Sequence, residues 1–192
     1  MDVNAHEKVL LNRYLQLLQR WNKVFNLTAV RDPAEMQSLH IADSISVAPY
    51  LHGATCLDVG SGAGLPGIPL AILQPERQFT LLDTNGKKTR FIQQAVLELG
   101  LPNVQVVQTR VESWQPAASF DAIISRAFAS LHDFVTFTGK HVAENGILYA
   151  MKGRYPASEL AELPAGWCVT AQHPLHVPGL DAERHLLEIQ RD

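Results

Sequence analysis

Leu10, Tyr14, Leu17, Leu18, Trp21, Val24 and Phe25 recur at helical spacing, with Arg13, Gln16, Arg20 and Lys23 between them. That period predicts an amphipathic helix whose apolar stripe packs on the rest of the chain and whose basic face is solvated. Asn26-Leu27-Thr28 ends it, and Asp32-Pro33 reads as the N-cap and first residue of a second helix that carries His40-Ile41-Ala42-Asp43-Ser44. Residues 1–52 are therefore expected to form a helical extension packed on a core of residues 53–192, the whole being one structural domain. From Thr55 the pattern alternates. Apolar runs at Thr55–Val59, Gln78–Leu82, Val104–Gln108, Phe120–Ser125 and Gly146–Met151 predict strands. Helical runs separate several of them, at Gly67–Leu73, around Phe91–Leu99 with Gly100 as its C-cap, and from Leu131 to Val142. Strand–helix alternation implies right-handed crossovers and a mostly parallel sheet with helices on both faces. Trp167–Ala171 and Arg184–Ile189, joined by a loop with Pro and Gly, predict a terminal antiparallel pair. The expectation is an α/β fold with a seven-stranded sheet.

The first strand runs directly into the chain's most distinctive stretch, Asp58-Val59-Gly60-Ser61-Gly62-Ala63-Gly64-Leu65-Pro66-Gly67. A glycine-dense turn between strand and helix lets a ligand approach the backbone, and the helix N-terminus behind it suits a nucleotide-type ligand. Gly62-Ala-Gly64-Leu-Pro-Gly67 fits the dinucleotide pattern, but that match alone is weak. Asp58 stands two residues before the first glycine, where the dinucleotide fingerprint is apolar. Acid-x-G-x-G-x-G resembles motif I of the class I (Rossmann-like) S-adenosylmethionine-dependent methyltransferases. Their cofactor carries an ammonium, a carboxylate and a sulfonium but no phosphate, so an acid at the strand end suits it and would repel a pyrophosphate. Asp83 follows Gly60 by about twenty residues, the spacing of an acid that grips ribose hydroxyls. Val111-Glu112 after the third strand is a candidate bracket for adenine.

The bulk composition narrows the classes. The 192 residues carry a formal charge of −3, which argues against a strongly basic nucleic-acid binder and leaves room for a local basic patch. The two cysteines, Cys56 and Cys168, imply no disulfide framework, and a reducing cytoplasm is the simplest setting. No apolar run reaches membrane length and no signal-peptide core is visible, so no membrane partner is expected.

Trp21-Asn22-Lys23, Asn26-Leu27-Thr28, His40–Ser44, Asp58–Leu70, Leu81-Leu82-Asp83, Arg110-Val111-Glu112, Ser125-Arg126-Ala127-Phe128-Ala129, Met151-Lys152-Gly153 and Glu183-Arg184-His185 together resemble one family: the bacterial small-subunit rRNA guanine-N7 methyltransferase G, or glucose-inhibited division protein B. The resemblance runs from about Trp21 to His185 and departs at the start, where the leader before the first helix is short. It implies methyl transfer from S-adenosyl-L-methionine to N7 of a guanine in the 530 loop of 16S rRNA (guanine 527 in the usual rRNA numbering). It also implies that Gly60, Leu65, Val111, Glu112 and Arg126 contact the cofactor, beside the Asp58, Gly62 and Asp83 read from the turn. The substrate is expected to be the small ribosomal subunit or an assembly intermediate, with no DNA partner.

What the chain lacks agrees with that chemistry. After the fourth strand it has Ser125-Arg126-Ala127-Phe128, not the Asn/Asp-Pro-Pro-aromatic loop associated with exocyclic amine methylation. Neither cysteine lies at a strand end facing the site, as pyrimidine C5 methylation would need. Guanine N7 has a free lone pair and no proton, so direct displacement needs no general base, and no acid–base residue is expected. Arg126 has two functional readings, as a clamp on the cofactor carboxylate or a reader of guanine O6, and one bland reading, an ion pair with Glu112 or Asp121. His40, Lys152 and Arg184 are candidate RNA contacts, and Phe128 is a candidate to stack on a flipped base. The competing classes are a nicotinamide-dependent oxidoreductase, a non-enzymatic rRNA assembly factor, and a metal protein using Cys168, His173 and His176; Asp58, Asp83 with the intact glycine turn, and the lack of a fourth ligand weigh against these in turn.

Overall fold

The computed structural model describes residues 3–192, so the first two positions of the segment before the first helix lie outside the described residues. Its strands are β1 Thr55–Val59, β2 Gln78–Asp83, β3 Val104–Gln108, β4 Phe120–Ser125, β5 Val142–Lys152, β6 Trp167–Pro174 and β7 His185–Arg191. They form one seven-stranded sheet in the order β3-β2-β1-β4-β5-β7-β6. The first five are parallel, and β7 pairs antiparallel with both β5 and β6. The expected seven strands and the terminal antiparallel pair are all present. β1 and β4 are nearly wholly buried, as strands covered on both faces must be. From β1 the chain steps to β2 on one side, and after β3 it returns to β4 on the other. The crevice between the carboxyl ends of β1 and β4 is therefore the topological switch point.

The helices are α1 Ala5–Phe25, α2 Pro33–Met36, α3 Asp43–Ile45, α4 Gly67–Leu73, α5 Gly86–Leu99, α6 Leu131–Thr138 and α7 Ala157–Leu160. α1 begins in a capping box, in which the Asn4 side chain accepts from the Glu7 N–H and the Glu7 side chain accepts from the Asn4 N–H. Its buried face (Leu11, Tyr14, Leu15, Leu17 and Leu18) joins the same core as Ile68 of α4 and Phe91 of α5. The Tyr14 hydroxyl, wholly buried, donates to the Ala63 carbonyl at 2.6 Å, so the extension is bolted to the glycine turn. Asp32 caps α2 as the Asp-Pro pair predicts, its side chain accepting from the Ala34 N–H. Between α2 and α3 the helix widens into a π-helical segment, Gln37–Ala42, which periodicity does not foresee; such segments recur at functional sites.

One helix boundary differs from expectation. The run from Leu131 was expected to stay helical to Val142, but α6 stops at Thr138 and Val142 opens β5 opposite Phe120. Gly139 sits where a Cβ would come within 2.7 Å of the Trp167 ring. Beyond it Val142, a β-branched residue, fits the pleated buried edge better than a helix.

Because α1 shares the main core, a cavity in it should destabilise the whole molecule. Leu18→Ala is expected to cost about 2–5 kcal/mol in urea unfolding. Val24→Ala, on a side chain that is 71% exposed, should stay within about 0.5 kcal/mol. Equal, small effects would show that α1 is a dispensable appendage.

Candidate functional site

The glycine turn is held from beneath by two carboxylates. Gly60 and Ser61 donate to the Leu82 carbonyl at 2.8 and 3.1 Å, tying the turn to β2. Asp83, at the end of β2, accepts from the Gly62 N–H at 2.8 Å and the Asn85 N–H at 2.8 Å. Asp58, inside β1, accepts from the Gly67 N–H at 2.9 Å, at the first residue of α4. Gly67 has no room for a side chain, since a Cβ would lie 2.7 Å from the Asp58 Oδ2. Gly62 is the opposite case. It has φ +59°, and a Cβ there would meet nothing closer than 4.0 Å, so its Cα faces open space where a ligand can approach.

Asp58 does not face that space. It has no exposed surface, and its Oδ1 has no hydrogen-bond partner. Burial pushes its pKa up to about 7 against the pull of the Gly67 N–H. The expected direct charge on a ligand becomes a charge on the turn's own backbone.

Gly60, Ser61, Gly62, Ala63 and Leu65 line one side of a cleft of about 220 Å³, and Leu27, Thr28, His40, Lys88, Arg126 and Ala127 complete it. The extension supplies its share through a short relay. Asn22 accepts from the Thr28 N–H at 2.9 Å and donates to the Val30 carbonyl at 3.3 Å, folding the loop after α1 back on itself. Thr28 Oγ1 then meets His40 Nε2 at 2.9 Å. His40 is buried, and burial followed by the nearby Arg126 charge lowers its pKa. This departs from the expected RNA contact, because a buried neutral imidazole offers a phosphate no charge.

Arg126 follows β4, where Ser125 Oγ donates to the Val59 carbonyl at 2.7 Å and accepts from the Ala127 N–H at 3.0 Å. Its Nη1 donates to Asp43 Oδ2 at 3.1 Å and to the Leu39 carbonyl at 3.4 Å. The partner is neither Glu112 nor Asp121. Asp121 is taken by the N–H groups of Ala54 and Thr55 and by the Thr55 hydroxyl, which hold its carboxyl below the usual range. The other oxygen of Asp43 accepts from Arg184 Nε at 3.0 Å. A second cavity, of about 260 Å³, adjoins this group, and Asp43, Arg126, Met151, Lys152, Gly153 and Arg184 are among its walls. Arg126 thus stands in the wall of both cavities.

The structure brings Gly60, Gly62, Leu65, His40 and Arg126 to one cleft, with Asp83 one hydrogen bond behind Gly62. Lys152 and Arg184 meet in the second cavity, but Lys152 is not a free cation. It is 12% exposed, and its Nζ bonds Glu159 at 2.9 Å and the Ala129 carbonyl at 3.2 Å. Val111 and Glu112 lie outside both linings. Val111 is buried with its carbonyl accepting from His141 Nε2 at 2.9 Å, and Glu112 is exposed. Phe128 packs against Phe134 and Phe137 at the edge of the core. His173 stacks on Tyr50 at 4.2 Å and bonds Glu188 at 2.8 Å, and among the described residues no group of three or more His, Cys, Asp or Glu is placed to hold a metal. Asp43, Tyr14 and Thr28 are the working residues that sequence reasoning passed over. Asp43 and Thr28 lay inside runs already singled out, whereas Tyr14 looked like any other apolar-face residue.

The family described as GidB, rRNA small subunit methyltransferase G, matches residues 7–187. The ribosomal RNA small subunit methyltransferase G of Methylococcus capsulatus is 52% identical over 189 residues, covering 98% of this chain and 92% of that protein. The protein of the same name from Marinobacter nauticus is 56% identical over 191 residues, covering 100% and 89%. Among solved structures, the glycopeptide N-methyltransferase MtfA complexed with S-adenosyl-L-homocysteine has a TM-score of 0.67 at 13% identity, over 80% of this chain and 87% of that one. TrmN from Thermus thermophilus has a TM-score of 0.59 at 16% identity, over 78% and 47%. At such identities these two structures speak for the fold alone.

The raised pKa of Asp58 has a measurable sign. The folded chain keeps a proton that the unfolded chain releases near 3.8, so this group's stabilising contribution falls as pH rises from there to about 7 and is flat above. Asp58→Asn removes that slope. Its melting temperature relative to the parent protein should rise between pH 5 and pH 7.5 in differential scanning fluorimetry, and a constant offset would contradict the burial argument.

Proposed function

We propose that this chain, which belongs to the rRNA small subunit methyltransferase G family, methylates N7 of a guanine in the 530 loop of 16S rRNA, the position usually numbered 527. Ribosomal RNA is the substrate class and S-adenosyl-L-methionine the methyl donor. The observation that carries the reading is Arg126, which stands in the wall shared by the glycine-turn cleft and the second cavity. The residues present fit the donor. Gly62 leaves its Cα open to a ligand, the Asp83 oxygens keep lone pairs for ribose hydroxyls beyond the two N–H groups they accept, Leu65 offers buried apolar surface, and Arg126 offers a fork for a carboxylate.

The donor would supply an activated methyl group on a sulfonium: the N7–C bond forms as the C–S bond breaks, and neutral S-adenosylhomocysteine leaves. The protein's part is alignment. No proton leaves N7, so the direct displacement needs no base. The positive charge passes from sulfur to the purine ring as the methyl moves. Asp43 lies against Arg126 and offsets a guanidinium charge that would otherwise oppose a cationic product.

A formal charge of −3 gives little general attraction for free RNA. The proposed substrate is accordingly the small ribosomal subunit or an assembly intermediate, which presents the loop in place, and the proposed setting is the cytoplasm. Among the described residues no helix is long and apolar enough to cross a membrane.

Incubation with labelled S-adenosylmethionine and small subunits from cells lacking the activity should place one N7-methylguanine in the 530 loop. Label at another base would overturn the position, and activity equal on protein-free 16S rRNA would overturn the subunit preference. Arg126→Ala should lower kcat/KM by about 10- to 100-fold, the loss expected for one charge-assisted contact; an unchanged rate would remove Arg126 from the site.

A further inference from the structure

Asp43 is a carboxylate whose side chain is only 6% exposed, held between two guanidinium groups that reach it from the same edge of the sheet. Oδ2 accepts from Arg126 at the end of β4, and Oδ1 accepts from Arg184 just before β7. Arg126 lines the glycine-turn cleft and the second cavity, while Arg184 lines the second cavity only. Both arginines keep part of their surface open, at 28% and 23%. Asp43 itself comes from the extension, one residue past the π-helical segment that brings His40 to the cleft. His185 also lines the second cavity, with its Nε2 3.8 Å from Glu183 Oε2.

We propose that Asp43 is a positioning residue for the reaction: it locks Arg126 and Arg184 into one rigid unit, so that the donor cleft and the acceptor cavity are set relative to each other by a single carboxylate. The geometry explains why an acid is needed. Each arginine alone has a long, rotatable stem, and a carboxylate with one oxygen on each fixes both with charge-assisted bonds. It also explains why the acid comes from the extension: the segment that closes the donor cleft through Thr28 and His40 also sets the arginine pair. The role is distinct from that of Arg126, which touches substrate or donor; Asp43 acts through its partners.

The inference rests on the methyltransferase reading, and the assay separates the two. Steady-state methylation of small subunits is measured for the parent protein, Asp43→Asn, Arg184→Gln and the double variant, with S-adenosylmethionine affinity by calorimetry and melting temperature alongside. If the parent transfers no methyl, the functional reading itself fails. Given an active parent, Asp43→Asn should raise both the donor Kd and the KM for subunits by about tenfold or more. Arg184→Gln should raise the subunit KM alone, and the double variant should match Asp43→Asn in subunit KM because the two act as a unit. Asp43→Asn with both constants within twofold of the parent would overturn the proposal, as would a change in the donor constant only. Should Asp43→Asn not fold, Arg184→Gln decides: a shift in donor affinity equal to its shift in subunit KM would contradict the division of the two cavities, and a subunit-only shift would support it.

Discussion

Two backbone amides, Gly62 N–H and Gly67 N–H, hold the site in shape because each is met by a carboxylate, Asp83 at the end of β2 and Asp58 inside β1. A turn with this many glycines has little conformational preference of its own and loses much entropy on being fixed. Asp83 and Asp58 fix it from below, the Leu82 carbonyl from the side, and the Tyr14 hydroxyl from the extension. With those four anchors the turn presents a preformed, open face at Gly62, and a ligand need not order it. The same bonds explain why the acid in this motif is invisible from the cleft. Its work is structural, and its burial gives it an unusual affinity for a proton.

The second organising interaction is electrostatic. A chain of formal charge −3 gathers Arg126, Lys152 and Arg184 around one cavity and then supplies each with an acid, Asp43 for the two arginines and Glu159 for Lys152. The local field is therefore much weaker than a count of bases suggests. That suits the proposed displacement, in which positive charge moves from sulfur to a purine, and it suits the proposed substrate on a particle better than one captured by long-range attraction.

Much of the architecture was legible because it is local. The change from a helical period to alternating strands and helices marks where the sheet begins, at Thr55, and the glycine density marks the turn. The C-cap at Gly100 is written in one residue. The end of α6 was not legible, because the contact that excludes a side chain at Gly139 comes from Trp167 on another strand. The candidate site divides in the same way. Gly60, Gly62 and Leu65 lie in one continuous run and Asp83 about twenty residues on; Gly62 and Asp83 were singled out by motif and spacing, Leu65 by the resemblance. Asp43 was not assigned a role because its partners stand 83 and 141 positions away. His40 and Lys152 were read as RNA contacts from polarity, whereas burial and Glu159 decide their actual states. Val111 and Glu112 came from resemblance, and neither lines the cleft described here.

The most direct test of the account is to see where the donor lands. Amide chemical shifts of the labelled protein are followed on titration with S-adenosylmethionine. The account predicts that the largest changes fall on Gly60, Ser61, Gly62, Leu65 and Arg126, with smaller ones at Asp83 and Thr28. Shifts centred elsewhere, such as the apolar cavity between Tyr50 and Pro174, or no shifts at all, would contradict it.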